Sequence, residues 1–314
     1  MDLKDLKCLI AISEHGSLGR AAEAENMSQP SLSVRIRALE DHFGVALFLR
    51  SNKGVTITDE GRDLLRHARI IVRQFEDAEA EMQFHRSNPV GLVRLGLPTS
   101  LTSRLAAPIL DKCMSQLPNV KVRIVESMSG YIVQWLKDDV LDLGVTFGTN
   151  APAGIDITHV AREDLLLVAQ SEAILAPLCD AEGNVPFPAL HELGVVLPGP
   201  EHGLRALIET LARQQGVRIN AVVEIDAFGE IMRLVSHGYG VTVMSSAALR
   251  DGAAFGLVGA RVVRPTISRV VNTAVSTAHK RSRACREVTR MIHDVIDEEI
   301  TKRDWLAKSL LPSR

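Results

Sequence analysis

The sequence predicts three parts: a mainly helical N-terminal winged helix-turn-helix, a long linker helix and a C-terminal α/β domain. Within residues 17–61, two short helical patterns flank a polar turn and precede a basic, glycine-containing hairpin. An apolar heptad pattern follows, and strand-like runs then alternate with helical runs over the remaining chain. The chain has 314 residues, of which 46% are hydrophobic, and this suffices for two or three domains with their own cores.

The first predicted element is a pair of short helices around a polar turn. Ser17 and Ser28 are candidate N-caps for the two helices. Asn26 tolerates the turn conformation, and Pro30 suits a first helical turn. Apolar residues recur in the second helix at a spacing of three or four positions, which predicts one buried face. That face comprises Leu32, Ile36, Leu39 and Phe43.

The remaining surface of the second helix carries side chains suited to DNA. A helix advances about 100° per residue, which places several polar or small side chains opposite the buried face or beside it. Glutamine can pair with adenine, arginine with guanine, and valine can contact a thymine methyl group. The predicted DNA-binding residues of this helix are Ser28, Gln29, Pro30, Ser31, Ser33, Val34, Arg35 and Arg37.

A basic turn follows the helix pair and predicts the wing. A short strand is expected at 55–57, directly after this turn. Arg50, Asn52 and Lys53 are expected to contact DNA phosphates, which fixes the register of the protein without reading the sequence. The pattern alone leaves open a solvated hairpin on a protein that does not bind DNA.

The spacing of these residues resembles the N-terminal signature of the LysR-type transcriptional regulators. The resemblance rests on Ala21 and Ala22, the run S-Q-P-S-L-S at 28–33, the run L-F-L-R at 47–50, and Thr58 with Gly61. The chain departs from the family at Glu25, where the family usually has leucine, and at Val34, where it usually has a polar or basic residue. The resemblance implies an effector domain similar to a periplasmic binding protein, with two Rossmann-like subdomains.

A long helix is predicted from Thr58 through Ser87, with Asp59 and Glu60 at the end that favours acidic side chains. Its heptad seam favours contact between two copies of the chain, as the resemblance also implies. Packing of this helix against its own domain is the alternative. The predicted dimerisation residues are Leu64, Ala68, Ile71, Phe75, Ala78 and Met82.

Strand-like and helical runs alternate after residue 91, which indicates an α/β domain. The predicted strands cover residues 92–97, 120–126, 141–147, 157–160, 165–170, 194–197, 221–225, 241–244, 259–263 and 270–276. The predicted helices cover residues 105–117, 130–138, 203–215, 229–237 and 281–299.

Together with the resemblance, these runs give the expected domain limits. They are 1–58 for DNA binding, 59–88 for the linker helix, 92–302 for effector binding and 303–314 for a C-terminal tail. The effector domain is expected to divide into subdomain I, 92–163 with 267–302, and subdomain II, 164–266.

The cleft between these subdomains is the expected effector site, by analogy with the family. Pro98, Thr99 and Ser100 follow a strand and open a helix, where free backbone N–H groups and hydroxyls suit an anion. Ordinary helix capping is the alternative role for these hydroxyls. The expected effector is a small anionic metabolite such as a carboxylate. The predicted effector-binding residues are Thr99, Ser100, Ser127, Ser129, Phe147, Gly199 and Phe228.

Two runs near this cleft point to a subgroup of the family. The runs P-T-S-L-T at 98–102 and V-E-S-M-S-G-Y at 125–131 are similar to the nitrogen-assimilation-control type. That type resembles a regulator controlled mainly by its abundance. A cleft that no longer binds an effector is therefore the alternative to a working effector site.

Charge and cysteine spacing limit the other possibilities. The net charge is −2, and residues 1–58 hold seven basic and seven acidic side chains, so DNA affinity is expected to depend on two copies binding together. Cys8 is expected to be buried, and a redox pair of Cys113 with Cys179 stays open. Neither a metal nor a cofactor is predicted, because the spacings typical of metal ligands are absent.

A DNA-binding transcriptional regulator, acting as a dimer or tetramer, is the predicted function. Its expected partners are double-stranded promoter DNA, other copies of the chain, RNA polymerase and a small effector. A cytoplasmic location is expected, because the sequence has neither an apolar membrane span nor a signal peptide. If the chain were a solute-binding protein, its first 90 residues would have no role. An enzyme is disfavoured because the sequence contains no G-x-G-x-x-G, P-loop or G-x-S-x-G motif.

Overall fold

The computed structural model of the chain describes residues 1–51, 54–83, 89–252, 255–278 and 281–312. The chain divides into two compact units. The first comprises Met1–Gly91 with the loop Asp138–Val140, and the second comprises Leu92–Lys137 with Leu141–Arg314. Within the described ranges, none of the helices is long and apolar enough to span a bilayer.

The first unit is a winged helix-turn-helix followed by a long helix, as predicted. Its elements are α1 (Leu3–His15), α2 (Leu18–Ala24), α3 (Gln29–Phe43), β1 (Phe48–Ser51), β2 (Gly54–Ile57) and α4 (Asp59–Gln83). Strands β1 and β2 pair as an antiparallel hairpin, which is the wing.

Local sequence explains where these helices begin and end. Asp2 and Asp5 form a capping box at the start of α1, and Gly16 ends that helix in the left-handed conformation. Asn26 adopts the positive φ of 53° that the predicted turn requires. Ser28 caps α3 by accepting a hydrogen bond from the Ser31 N–H at 3.3 Å. The buried face of α3 contains Leu32, Ile36 and Leu39 as predicted, whereas Phe43, in the last turn, is 43% exposed.

The wing is fixed to the helices by two local contacts. The Glu40 carboxylate accepts hydrogen bonds from the backbone N–H groups of Leu47 at 2.8 Å and Phe48 at 3.2 Å. Gly61 lies so close to the wing that an added Cβ would meet the Leu47 carbonyl oxygen at 2.3 Å. Only glycine permits this approach, which explains why this position of the signature is a glycine.

Helix α4 has two apolar surfaces, and this corrects the predicted dimer seam. Leu65, Ala68 and Val72 pack into the core of the first unit, and Leu64 is half-buried against it. Ala68 is therefore a core residue, and Leu64 is largely committed to its own unit. The apolar side chains that stay exposed are Ile71, Phe75, Ala78 and Met82, which we call the α4 exposed strip. The predicted residues 84–88 lie outside the described residues.

The second unit is an α/β domain. Its strands are β3 (Gly91–Pro98), β4 (Val120–Ser127), β5 (Leu143–Phe147), β6 (Ile155–Ala169), β7 (Val185–Pro186), β8 (Gly194–Leu197), β9 (Asn220–Glu224), β10 (Thr242–Ser245), β11 (Val258–Val263), β12 (Ser268–Ser276) and β13 (Ala307–Ser309). Its α-helices are α5 (Thr99–Gln116), α6 (Ser129–Lys137), α7 (Glu172–Leu175), α8 (Gly203–Gln215), α9 (Phe228–Ser236), α10 (Ser246–Gly252) and α11 (Arg283–Thr301).

The long strand β6 joins two hydrophobic cores. Two short strands were predicted here, at 157–160 and 165–170, but they are one continuous strand because β12 pairs with it from Ile155 to Asp164. The first core contains residues from β3, α5, β5, β12 and α11. The second core contains residues from the end of β6, from β8 and from α8.

The predicted C-terminal tail is part of the fold. Strand β13 pairs with β6 opposite residues 161–163, and Trp305 is only 2% exposed within the first core. The Trp305 indole Nε1–H donates to the buried Glu163 carboxylate at 2.7 Å. The prediction of a tail was wrong because a single large aromatic side chain, matched to a distant carboxylate, anchors this segment.

Candidate DNA interface and candidate ligand cleft

The surface of α3 that was predicted to read DNA is open to solvent. Val34 is 67% exposed, and Gln29, Pro30, Ser31 and Arg37 are exposed as well. Ser33 is half-buried. This surface begins at the N-terminal turn of α3 and extends two turns along it, which is the part of a recognition helix that reaches base edges.

Two of the serines at this end serve the helix itself. Ser28 Oγ accepts from the Ser31 N–H and lies 2.8 Å from Ser31 Oγ. The side-chain oxygen of Gln29 lies beside Gly19 of α2, 3.6 Å from where an added Cβ would stand. This is an ordinary contact distance, so Gln29 lies against α2 at the junction of the two helices without requiring a glycine there.

Arg35 has a different role from the one predicted. Its guanidinium Nη1 contacts Asp5 Oδ1 at 2.6 Å and both carboxylate oxygens of Asp2 at 3.3 Å. These contacts raise the pKa of Arg35, and the pKa of Asp2 is lowered first by its hydrogen bond with the Asp5 backbone. Arg35 thus ties α3 to the capping box of α1, and among the predicted arginines of α3 only Arg37 projects without an ion pair in the described chain.

The wing residues can be placed only in part. Arg50 belongs to strand β1, opposite Val55 of β2. Asn52 and Lys53, both predicted to contact phosphates, lie outside the described residues.

A cleft that is partly open to solvent lies in the second unit, and its space, including the open part, is about 700 Å³. Five of the predicted effector residues line it: Thr99, Ser100, Ser129, Phe147 and Phe228. Thr99 begins α5 and Ser129 begins α6, and neither helix start has a side-chain cap within the described contacts. Their first backbone N–H groups are therefore available to an acceptor in the cleft.

Two predicted effector residues are not among the lining residues of this cleft. Ser127 is the last residue of β4 and directly precedes Met128 and Ser129, which line it. Gly199 donates its N–H to the Asp226 carboxylate at 3.0 Å, and its neighbour Pro198 lines the cleft instead. Each of the two residues is thus adjacent in sequence to a residue of the lining.

Arg269 of β12 is the principal residue of the cleft that the sequence analysis missed. Its guanidinium lies 3.4 Å above the centre of the Phe147 ring, in a cation–π contact. Its Nη2 donates to Ser100 Oγ at 2.9 Å, and its Nε donates to Glu163 Oε1 at 2.6 Å. An arginine inside a strand pattern gives no sequence signal of a cleft, because only strand pairing places it there.

Glu163 is the buried partner that holds Arg269. Its side chain has no exposed surface, and its oxygens also accept from Trp305 Nε1–H and from the Ser245 hydroxyl. A buried carboxylate requires such partners, because an unpaired charge in the interior is costly. The Arg269–Glu163 pair is therefore electrically neutral and firmly oriented.

His202 and Asp226, from the segments that precede α8 and α9, also line the cleft. His202 Nδ1 accepts from the Leu204 N–H at 3.1 Å and so caps α8, which leaves Nε2 to carry the proton of the neutral ring. Burial lowers the pKa of His202 below its ordinary value of 6.5, and the charge of Arg269 lowers it further, while Asp226 opposes this. His202 is therefore neutral at physiological pH.

A second cavity adjoins the first, and its space, including the part open to solvent, is about 780 Å³. Both cavities share Arg269, Phe147, His202, Leu204 and Ser129 as lining residues. Arg162 lines the second cavity but not the first. We call them the first and second chambers of the cleft, and their charged lining residues differ.

The cysteines do not form the redox pair that was left open. Cys113 is buried in the first core, and Cys179 packs against the second core, so the two thiols belong to different clusters. Burial raises the pKa of Cys113 and raises that of Cys8 to about 11. Cys8 is fully buried, as predicted.

Family models match both units of the chain. The model described as "Bacterial regulatory helix-turn-helix protein, lysR family" matches residues 3–62, and the model "LysR substrate binding domain" matches residues 86–297. The nitrogen assimilation regulatory protein nac of Escherichia coli strain K12 is 26% identical over 309 residues, which cover 97% of this chain and 99% of that protein.

Solved structures share the fold over nearly the whole chain. A full-length OxyR cysteine variant from Pseudomonas aeruginosa has a TM-score of 0.74 at 21% identity and covers 94% of each chain. Full-length CbnR in complex with its target DNA has a TM-score of 0.55 at 19% identity, covering 94% of this chain and 99% of that one.

Proposed function

The chain belongs to the LysR family of bacterial transcriptional regulators, and from this premise we propose how its own residues bind DNA and respond to an effector. The observation that carries the proposal is the exposed surface of α3, on which Gln29, Val34 and Arg37 are free of the core. These side chains read base edges in the major groove, and Arg37 makes the strongest single contact with a guanine.

Arg35 supports this reading indirectly. By holding the start of α1 against α3, its contacts with Asp2 and Asp5 orient the helix that carries the reading residues. Wing residues Arg50, Asn52 and Lys53 contact phosphates and set the register of α3 in the groove. The wing supplies affinity, and α3 supplies sequence choice.

A second copy of the chain packs against the α4 exposed strip. Ile71 and Phe75 are each 46% exposed and Met82 is 74% exposed, so an apolar surface runs along one side of the helix. A pair of reading helices related by twofold symmetry favours an inverted-repeat site in the promoter. The charge balance of residues 1–58 supports this proposal, because one copy alone has little net attraction for DNA.

The cleft binds a small effector that presents a carboxylate to Thr99, Ser100 and Ser129. Backbone N–H groups at the starts of α5 and α6 suit such a group. The two hydrophobic cores divide between Ala161 and Leu165, which supports the predicted boundary near residue 163. At the second boundary Ile267 still belongs to the second core and Val271 to the first, and Ala247 of α10 packs in the first core. Effector binding shifts the equilibrium between an open and a closed arrangement of these subdomains. The free energy of this shift equals the difference between the effector's binding free energies for the two arrangements.

Closure of the cleft alters the spacing of paired DNA-binding units in the oligomer, and thereby the bend of the promoter. RNA polymerase then meets a promoter of different shape, which changes transcription. Since promoter DNA and RNA polymerase are both in the bacterial cytoplasm, we place the regulator there as well.

A gel-shift titration with Arg37→Ala and Arg35→Ala tests the DNA interface. Arg37→Ala is expected to weaken binding by about 1–3 kcal/mol and to relax the choice of base at one position of each half-site. Arg35→Ala is the comparison, because it removes the same charge from the same helix but releases α3 from the start of α1. It should lower thermal stability and weaken binding to all sequences alike, whereas Arg37→Ala should change base preference and leave thermal stability unchanged. If Arg37→Ala leaves both affinity and base preference unchanged, the assignment of the reading face is wrong.

A further inference from the structure

The charges around the first chamber of the cleft carry an inference about the class of its ligand. Among the described residues that line this chamber, the only formal charges at neutral pH are on Arg269 and Asp226, because His202 is neutral. Arg269 is already neutralised by Glu163, which is buried directly behind it. Among the residues that the structure describes, the negative charge of Asp226 has no such partner.

The described residues make few contacts with the Asp226 carboxylate. Its Oδ1 accepts the N–H of Gly199 at 3.0 Å, and the described chain gives it no ion pair. Its side chain is exposed on the wall of the cleft, at the start of the loop that precedes α9. It thus remains available to a positive group that enters from solvent.

This charge distribution disfavours a ligand that is only negative. With Arg269 and Glu163 cancelling each other, the chamber and its immediate support have a formal charge of −1. A second negative group near Asp226 would be repelled, and a chamber open to solvent weakens this repulsion without reversing its sign. A ligand with a positive group converts that repulsion into attraction.

The remaining lining limits the body of the ligand. The lining includes apolar side chains, among them Met128, Phe147, Phe228 and Met244. The starts of α5 and α6 contribute the hydroxyls of Thr99, Ser100 and Ser129, which suit a carboxylate. The lining therefore combines a carboxylate acceptor from the segment before α9, donors from two helix starts and an apolar surface.

We propose that the effector of this cleft is a small zwitterion with an apolar body, of the α-amino acid class. Its carboxylate faces Ser100 and the starts of α5 and α6, and its ammonium group faces Asp226. The proposal rests on the proposed function of the cleft as an effector site and specifies the chemical class that the site selects.

The test is calorimetric titration of the full chain with matched compounds. Each apolar amino acid is compared with the acid that lacks its ammonium group and the amine that lacks its carboxylate; for phenylalanine these are 3-phenylpropanoate and phenethylamine. We expect at least one amino acid to bind ten times more tightly than either of its partners. Asp226→Asn should remove most of that preference, and Glu201→Gln, an equal loss of charge at an exposed position outside the lining, should preserve it.

The outcomes separate this proposal from the proposed function. If the deaminated acids bind as tightly as the amino acids, or if Asp226→Asn leaves the preference intact, the zwitterion proposal is overturned while an effector site for carboxylates stands. If the amines bind without a carboxylate, both the zwitterion and the carboxylate assignment are overturned. If no compound binds to a chain that still shifts DNA, the cleft does not serve this ligand class and the vestigial alternative gains support.

Discussion

The proposed reading surface of α3 is formed by residues 28–37, whereas the cleft combines side chains from residue 98 to residue 269. In α3 the helical repeat alone brings the proposed reading side chains to one side, so a short window of sequence is enough to predict them. In the cleft, Ser100, Phe147 and Arg269 meet only because β12 lies between β5 and β6. The proposed reading of DNA thus depends on the geometry of one helix, whereas the cleft depends on the order of strands in the whole sheet.

The largest expected effect is a loss of stability in the second unit, which contains the cleft. Trp305→Ala should lower the free energy of unfolding of the second unit by about 3–5 kcal/mol, because it empties a buried aromatic site and leaves Glu163 without one donor. Chemical denaturation followed by circular dichroism measures this change. Leu306→Ala, at the adjacent and 40% exposed position, is the control and should cost far less. Equal effects of the two changes would mean that the C-terminal segment is not anchored by Trp305.

The second-largest expected effect is a loss of stability in the first unit, which contains α3 and the wing. Gly61→Ala should destabilise the first unit by about 1–3 kcal/mol, since its Cβ would stand 2.3 Å from the Leu47 carbonyl oxygen and force the wing away from α4. DNA binding should be lost at temperatures where wild type still binds, while unfolding of the second unit is unchanged. Gly19→Ala, whose Cβ would meet only ordinary contacts, serves as the control. A wild-type melting profile for Gly61→Ala would show that the wing is not fixed by this approach.

Phe75→Glu tests whether the α4 exposed strip belongs to a self-contact. Burying a phenylalanine contributes roughly 1.5–3 kcal/mol, so the dissociation constant of the dimer should rise at least about tenfold. Sedimentation equilibrium measures this. Gln74→Glu introduces the same charge at the neighbouring exposed position, outside the strip, and should leave the dimer intact. Identical behaviour of the two variants would place the self-contact elsewhere.

The smallest effect concerns His202 and pH. The folded-state pKa of His202 lies below 6.5 because burial, aided by Arg269, disfavours its charged form. The unfolded chain therefore binds more protons than the folded chain at acid pH, and stability falls as the pH decreases from about 7 through the folded-state pKa. His202→Asn can still cap α8 and should flatten the dependence of the melting midpoint on pH over this range. His237→Asn, at an exposed position, should leave the slope unchanged, and a similar slope in all three proteins would contradict the role of His202.

Sequence patterns were most informative where the fold is local. The caps of α1 and α3, the turn at Asn26 and most of the buried face of α3 followed from residue types and spacing. The role of Arg35 did not, because its partners lie some 30 positions away in the chain. Ala68 was misassigned for a similar reason: a heptad pattern indicates an apolar face without saying which partner covers it.

Capping and helical periodicity predicted the helix-turn-helix, the exposed side chains of α3 and the two helix starts that line the cleft. These signals act within a few residues, so a linear pattern contains them. Tertiary structure was required to show that Arg269 lines the cleft, that Glu163 neutralises it and that Asp226 has no ion pair among the described residues. Those facts depend on strand order and long-range pairing, since the electrostatic character of a site is the sum over residues that the chain brings together from far apart.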